Sequence, residues 1–378
     1  MTGRRTGVEE YTLSLLLNLF EIDQKNEYVL FLNSWKKPVF NFSIFNKFKN
    51  VKIKRLRIPN KILNFSFWYF SWPHINELCG GADLFFMPNI NFEATSKKCK
   101  LILTIHDLSF ERHPQYFSLK RRFWHNFINS KKLCKKADKI IAVSDSTKKD
   151  LVSLYKIKPE KIETVHSAVD DNFGIISRND AELIKIKEKY HLPYKFMLYL
   201  GTIEPRKNIC AIIQAYEKFH KLAYESKDEE LLKYKLVIAG EKGWLSEKIF
   251  NEIRSASSRK SILFIRTIPE IDKKYIYNLA SIFVYPSFFE GFGFPPLEAM
   301  RCGVPIIASN NSSLPEIVGN GGVLVDPDKP DEIFRAMKEI LENKGLQDIL
   351  VKKGLEKSRE FDWKKTAFEY LGIIKKMI

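Results

Sequence analysis

The sequence predicts an α/β fold with two parallel sheets in tandem, on three observations. Short apolar runs alternate with helix-period segments along most of the chain, the pattern of parallel strands joined by crossover helices. The chain has 378 residues, too many for one core and suited to two domains of roughly 150–200 residues. The segments that carry candidate chemistry fall just after predicted strands, where open α/β sheets bind their ligands.

In the first half a helical pattern runs from Val8 to Phe20, followed by strand-like runs at Tyr28–Asn33, Val51–Leu56, Leu84–Met87, Leu101–Ile105 and Ile140–Ser144. The second half is cleaner, with strands at Phe196–Leu200, Lys235–Ala239, Ile262–Ile265, Ile282–Tyr285, Val304–Ala308 and Val323–Val325. Helices are expected at about 208–222, 244–256, 272–280, 295–302 and 330–343. Each half reads as one Rossmann-like domain, with the ligand site expected between the two. The link is expected in the polar stretch 171–194, where Asp180-Ala-Glu-Leu-Ile-Lys185 opens a short helix and His191-Leu-Pro193 stops it.

Composition narrows the class. Apolar residues make up 45% and charged residues 28%, as in a soluble globular protein, and no apolar run approaches the ~20 residues of a membrane span. No apolar signal segment is visible at the start. Five scattered cysteines without a C-x-x-C pair suggest reduced thiols in a cytosol. The net charge of +17 is concentrated in the first half. Segment 36–73 interleaves Lys36, Lys37, Lys47, Lys49, Lys52, Lys54, Arg55, Arg57 and Lys61 with ten or so aromatic residues, among them Phe65, Trp68, Tyr69, Phe70 and Trp72. Segment 120–139 adds Lys120, Arg121, Arg122, Lys131, Lys132, Lys135, Lys136 and Lys139 around Phe123, Trp124 and Phe127. This pattern has two readings: an interfacial surface that meets an anionic membrane, or a solvated basic face whose aromatics point into an ordinary core. No nucleic-acid-binding motif is present, and nucleic acid is not an expected partner.

The most informative stretch is Ser287-Phe-Phe-Glu-Gly-Phe-Gly-Phe-Pro-Pro-Leu-Glu-Ala-Met300, after the apolar run Ser281–Tyr285. It reads as strand, glycine-containing loop and helix. The prolines suit the first helical positions, where a missing N–H costs nothing. Gly291 and Gly293 let the backbone approach a ligand, and free amides at a helix start favour anionic or hydroxyl-rich groups. Glu290 stands at the mouth of the loop and Glu298 in the first helical turn, a spacing that suits a nucleotide-sugar better than a metal.

This stretch, with Arg301-Cys-Gly-Val-Pro-Ile-Ile-Ala-Ser309, Leu314-Pro-Glu-Ile-Val-Gly319 and Gly201-Thr-Ile-Glu-Pro-Arg-Lys-Asn208, resembles the signature of retaining glycosyltransferases of the GT-B fold, glycosyltransferase family 4. The resemblance spans nearly the whole chain and is densest from 196 to 330. It implies two Rossmann-like domains facing across a cleft: an acceptor-binding domain at 1–175, a nucleotide-sugar-binding domain at 190–360, and a last helix at 361–378 that crosses back to the first. Chains of this family usually open with an apolar strand before a glycine-containing loop. Here Thr2-Gly-Arg-Arg-Thr-Gly-Val-Glu-Glu-Tyr11 matches the loop and the helix after it, so either the start codon is misassigned or the N-terminal sheet lacks its first strand.

The resemblance also assigns roles. Glu298 matches the glutamate that accepts hydrogen bonds from the nucleotide ribose; a carboxylate has room for two hydroxyl donors. Taken alone it is a glutamate near a helix start, favoured by the dipole. Glu290 matches the glutamate placed against the donor sugar, as nucleophile or as electrostatic support for an oxocarbenium-like state. Gly291, Phe292 and Gly293 would present backbone N–H groups to sugar hydroxyls. Arg206 and Lys207 would stabilise the charge that builds on the leaving diphosphate. Many relatives carry an arginine directly after the strand's glycine, where this chain has Thr202, so the phosphate arginine is Arg206 or comes from elsewhere in the chain.

His106, in Leu101-Ile-Leu-Thr-Ile-His-Asp107, reads by position as a structural hydrogen-bonder; the match to the family's T-x-H-D segment turns it toward donor sugar and acceptor, with Asp107 fixing its tautomer. Gly7 belongs to the opening loop and would approach the phosphates or the acceptor. Ile268 occupies a place where relatives contact the base through main chain, and Trp244 reads as packing. His106 and Glu290 are thus the catalytic candidates; the other residues form the donor site. Asp326-Pro-Asp328 is literally D-x-D, but its prolines make a turn leading into a helix, with Asp328 as part of a cap; no metal and no cofactor are expected.

The implied activity is transfer of a hexose, mannose first, from a nucleoside diphosphate sugar, GDP-mannose first, to a glycan or lipid-linked acceptor in surface polysaccharide synthesis. The expected place is the cytoplasm, peripheral on the inner face of the cytoplasmic membrane. The alternatives are a nucleotide-sugar epimerase of the same fold and a catalytically impaired membrane-associated homologue.

Overall fold

Every ladder between the described strands is parallel. The computed structural model describes residues 7–38 and 40–378. The chain divides into two units: Met1–Leu108 with Leu119–Ala168 and Phe361–Ile378, and Val169–Glu360 with Ser109–Ser118. The stretch 171–194, expected as a link, therefore belongs to the second unit. The physical reason is apolar: in its helix Ala181–Lys189, Leu183 and Ile186 are buried, and Lys189 and Tyr190 both reach Asp272 at 2.6 Å.

The first unit holds β1 (Tyr28–Asn33), β2 (Val51–Leu56), β3 (Leu84–Met87), β4 (Lys100–Ile105), β5 (Lys139–Ala142) and β6 (Ile162–Thr164). They form two sheets, β1-β2 and β3-β4-β5-β6, and no strand among the described residues joins them. Of the opening loop, Thr2–Thr6 lies outside the described residues. β4 and β5 are almost wholly buried, as a parallel strand covered on both faces must be. The helix Gly7–Ile22 packs with the helix Trp363–Met377. The hydroxyls of Tyr11 and Tyr370 hydrogen-bond to each other, and that of Tyr370 reaches Thr104 Oγ1 at 2.9 Å. Thr366 Oγ1 donates to the carbonyl of His166 at 2.8 Å. These bonds satisfy buried polar groups that would otherwise cost free energy, and they tie the last helix into this unit.

The second unit holds β7 (Lys195–Leu200), β8 (Tyr234–Ala239), β9 (Ile262–Ile265), β10 (Ile282–Tyr285), β11 (Ile306–Ser309) and β12 (Val323–Val325), in the order β12-β11-β10-β7-β8-β9. β11 starts later than the expected Val304, because Gly303 turns the chain at φ 69° and Pro305 has no N–H to give a ladder. The order reverses between β7 and β10. Connections from these two strands leave in opposite directions, so a crevice opens beyond their carboxyl ends. The loops after β7 and β10 carry the two richest motifs of the sequence.

Gly240, after β8, has φ 144°, and a Cβ there would overlap the carbonyl of Gly201. Gly240→Ala is expected to destabilise the second unit by at least about 3 kcal/mol, read as a lower denaturation midpoint by circular dichroism.

Candidate donor site at the switch point

After β7 the chain turns through Pro205–Lys207, and Asn208 closes the turn at φ 56°. The Asn208 amide donates to the carbonyl of Pro327 at 2.7 Å, which fixes the exit of the turn. After β10, residues 286–293 lead into the helix Phe294–Arg301. The carbonyl of Arg206 accepts from Phe288 N at 2.9 Å, so the two loops are joined through backbone before any side chain is considered.

Three side chains then meet. Lys207 Nζ lies 2.6 Å from Glu290 Oε1 and donates to the Tyr285 hydroxyl at 2.7 Å. Arg206 Nη1 lies 3.1 Å from Glu290 Oε2 and also donates to the carbonyl of Phe289. Its Nη2 and Nε reach Glu204 Oε1 at 2.9 and 3.2 Å. Glu290, Lys207 and Glu204 are buried. Burial pushes the Glu290 carboxyl up, but Arg206 and Lys207 outweigh it and hold the pKa down at about 2. Burial and the neighbouring Arg206 lower the Lys207 pKa from the ordinary lysine value.

Arg206 and Lys207 were expected as cations waiting for a diphosphate. They are instead paired: two cations face Glu290 and Glu204, and the cluster is formally neutral. Both oxygens of Glu290 are engaged. The carboxylate is thus held as a fixed charge between two cations.

The loop around Glu290 is laced to residues 309–313. Ser309 Oγ donates to Ser287 O at 2.6 Å, Asn311 Nδ2 to Phe288 O at 3.0 Å, and Glu290 N to Ser312 Oγ at 3.0 Å. Ser313 Oγ bridges the carbonyls of Glu290 at 3.0 Å and Phe292 at 2.5 Å. On the outer side Tyr116 stacks on Phe288 with centroids 5.6 Å apart, and His113 meets Phe289 at 5.5 Å. Trp244 packs on Phe117 and donates its Nε1 proton to the Tyr116 carbonyl. Gly291, Phe292 and Gly293 are buried in this lacing; Gly293 has φ 124°, and a Cβ there would press on Leu314 at 2.9 Å.

Glu298 sits in the second turn of its helix and not the first, because Phe294 precedes the two prolines. The dipole therefore contributes little to its environment. It is 1% exposed; Oε2 accepts from the Tyr277 hydroxyl at 2.7 Å and Oε1 lies 3.9 Å from Lys273. Burial raises its pKa, partly offset by Lys273. Two glutamates of one loop and helix thus have pKa values pushed in opposite directions by their surroundings.

Thr202 is exposed, and its carbonyl accepts from Tyr199 at 2.9 Å. Ile268, half-buried, follows β9. Gly7 and His106 belong to the first unit. Gly7 opens its helix in an exposed position. His106 follows β4; its Nε2 lies 2.9 Å from Pro88 O. A carbonyl only accepts, so Nε2 carries the proton and Nδ1 is the acceptor nitrogen; Pro88, where Asp107 was expected, fixes the tautomer. Burial lowers the imidazole pKa below its ordinary value, keeping the ring neutral. Asp326, and not Asp328, organises the turn before the helix Pro330–Glu342: its carboxylate accepts from Asp328 N at 3.0 Å and pairs with Lys329 at 3.2 Å.

Sequence reasoning missed Glu204, Tyr277, Tyr285 and the serines Ser309, Ser312 and Ser313. Glu204 lay inside a motif already singled out, and an acid two residues before an arginine was its only signal. Tyr285 and Ser309 also lay inside stretches already singled out, but nothing local marked their contacts or those of the others, because the partners are 21 or more positions away.

Residues 180–357 match the group 1 glycosyl transferases, and residues 5–173 match glycosyltransferase family 4. The O-antigen chain mannosyltransferase B of Escherichia coli is 32% identical over 291 residues, covering 75% of this chain and 72% of that protein. A serotype-specific mannosyltransferase WbdA of the same species is 31% identical over 288 residues, 74% of this chain; the chain spans only 34% of that longer protein. HepE of Anabaena, solved in complex with UDP and glucose, superimposes with a TM-score of 0.71 at 15% identity, over 99% of this chain and 97% of that one. Fold and matches together define a glycosyltransferase of GT-B architecture, with two Rossmann-like domains. Within that class the chain belongs to glycosyltransferase family 4.

Two outcomes are expected. Lys207→Met, which leaves Glu290 under-compensated, should cost about 3–5 kcal/mol in denaturation, and the double variant Lys207→Met/Glu290→Leu much less. Because the Glu298 pKa is raised, its stabilising protonated form is present below the ordinary carboxyl range and lost as pH rises through the folded value. Glu298→Gln keeps an acceptor for Tyr277; it should melt with the wild type near about pH 4 and above it near about pH 8.

Proposed function

We propose that the chain is a retaining, metal-independent hexosyltransferase that takes mannose from GDP-mannose and delivers it to a glycan or lipid-linked acceptor of a surface polysaccharide. The observation that carries this reading is the pairing of Arg206 and Lys207 with Glu290 at the switch point between β7 and β10. The mannosyltransferase names of the relatives, two of them tied to O-antigen chains, support the choice of sugar and product.

In this reading the bond between the anomeric carbon and the diphosphate oxygen breaks as the acceptor oxygen bonds to the same face. The acceptor's proton passes to the departing phosphate, and the nucleoside diphosphate leaves. Arg206 and Lys207 stabilise the charge on that diphosphate, while Glu290 holds both cations in place and faces the positive charge that develops on the sugar. Glu298 accepts from the ribose hydroxyls. Neutral His106 contributes an acceptor nitrogen toward sugar or acceptor hydroxyls. Thr202, Ile268 and the 291–293 backbone of the second unit line the donor. No helix among the described residues is long and apolar enough to cross a membrane. The place of action proposed is the cytoplasmic face of the membrane, with the basic aromatic surface of the first unit as the contact to anionic lipid.

A thermal-shift panel of nucleoside diphosphates and their sugars tests the donor. GDP and GDP-mannose should raise the melting temperature, with the shift lost in Glu298→Ala and Lys207→Ala and unchanged by a chelator. No shift with any of them, from a folded chain, overturns the reading. Product formed without acceptor would point to an epimerase, and a β-linked product by NMR would remove the retaining step. Glu290→Gln should bind GDP as tightly as the wild type or tighter, since it removes the anion that competes for Arg206 and Lys207, while transfer falls by a factor of about a hundred or more.

A further inference from the structure

Two segments of the first unit, some fifty residues apart in sequence, meet on its surface. In the helix Asn60–Phe70 the rings of Phe65 and Tyr69 stack at 5.7 Å, with Trp68 and Phe70 beside them, and the exposed Trp72 follows two residues on. In the helix Leu119–Ile128, Leu119, Phe123 and Phe127 recur at i, i+4 and i+8, next to Trp124. The rings of Trp68 and Phe127 touch, with centroids 5.6 Å apart, and join the two sets into one patch. Its eight aromatic side chains are all between 43% and 66% exposed. The reading in which these aromatics point into a core is therefore corrected; Leu63 and Phe67 supply the buried face of the first helix. Monomers rarely leave more than roughly 300–600 Å² of contiguous apolar surface open, and a ring buries about 150–250 Å² when covered, so half-exposed rings clustered in this number point to an interaction surface.

Charge identifies the occupant. Residues 57–73 and 119–136 contain nine lysines and arginines and no aspartate or glutamate. Lys120, Arg122, Lys131 and Lys132 have no ion-pair partner among the described residues. A protein partner or a second copy of this strongly basic chain would have to bring its own acids to such a surface. A bilayer of anionic lipid supplies an apolar layer for the rings and a layer of phosphates for the cations at matching depths.

We infer that the seam between the helices Asn60–Phe70 and Leu119–Ile128 docks on an anionic lipid bilayer, with Phe65, Trp68, Tyr69, Phe123 and Phe127 inserted at headgroup level. This rests on, and specifies, the membrane contact proposed above. Neither signal alone anchors a protein stably; the seam combines both, so binding should need rings and charges together.

The test is co-sedimentation of the full chain with vesicles of phosphatidylcholine alone and of equimolar phosphatidylcholine and phosphatidylglycerol, at low and high salt. The chain should pellet with the mixed vesicles only, and less at high salt. Trp68→Ser/Phe123→Ser/Phe127→Ser should weaken binding at least tenfold. Lys120→Ser, Arg122→Ser and Lys131→Ser should each weaken it about fivefold. Because all six side chains are exposed, the variants should melt with the wild type and transfer sugar to a water-soluble acceptor at the wild-type rate. Binding that ignores phosphatidylglycerol, or ring variants that still pellet, overturns the inference. So does self-association that the ring variant abolishes while vesicles are ignored, which assigns the seam to a second copy. Loss of transfer in the wild type would sink the enzyme reading while leaving the vesicle result to be judged by itself.

Discussion

The contact between Glu290 and the Arg206–Lys207 pair is the interaction on which the second unit's site depends. It joins the loop after β7 to the loop after β10, the two strands at which the sheet order reverses. Parallel strands bring no side chains together at this point by themselves; they only open a crevice. The ion cluster, with the backbone bond from Phe288 to Arg206, turns that crevice into a fixed surface. Burial makes the cluster unforgiving, since any one charge left unpaired would carry its full desolvation cost.

The same loop and helix place a second carboxylate in the opposite electrostatic setting. Glu290 is held anionic by two cations, whereas burial pushes Glu298 toward the proton-bearing form and the Tyr277 hydroxyl satisfies it. A ribose that brings its own hydroxyl donors would replace part of the solvation that Glu298 has lost. In the proposed donor site a diphosphate would meet a different situation, because Arg206 and Lys207 are already shared with Glu290 and Glu204. In the proposed role such a cluster would stabilise negative charge as it builds, by redistribution among fixed groups, more than it would attract a charged ligand from a distance.

The first unit carries a buried polar cluster and, on its surface, an exposed aromatic face. His106 and Tyr11 are edge to face at the end of β4, with centroids 4.7 Å apart, and the buried hydroxyls of Tyr11, Tyr370 and Thr104 lie beneath. The exposed rings on the helices Asn60–Phe70 and Leu119–Ile128 form a separate face rich in cations. An unusual net charge is therefore concentrated on a surface with an apolar centre, an arrangement that a general need for solubility does not explain.

The alternation of strands and helices was legible in the sequence because burial on both sheet faces demands uninterrupted apolar runs, as in β4, β7 and β10. The turn and helix around Gly293, Pro295 and Pro296 were legible because backbone conformation restricts residue type there. The family motifs marked Glu290, Arg206, Lys207 and Glu298. What they could not carry was pairing. That Glu290 closes on Lys207 across 83 positions, that Ser312 and Ser313 hold its backbone, and that Trp68 meets Phe127 are consequences of packing. The same holds for the stretch 171–194, polar enough to look like a linker yet anchored by two apolar residues and an aspartate eighty positions on. Local sequence determined which segments become strand, turn or helix and which residue types stand at their ends. Tertiary structure alone decided which charges are paired, which are buried and which aromatics face water, because those depend on partners distant in the chain.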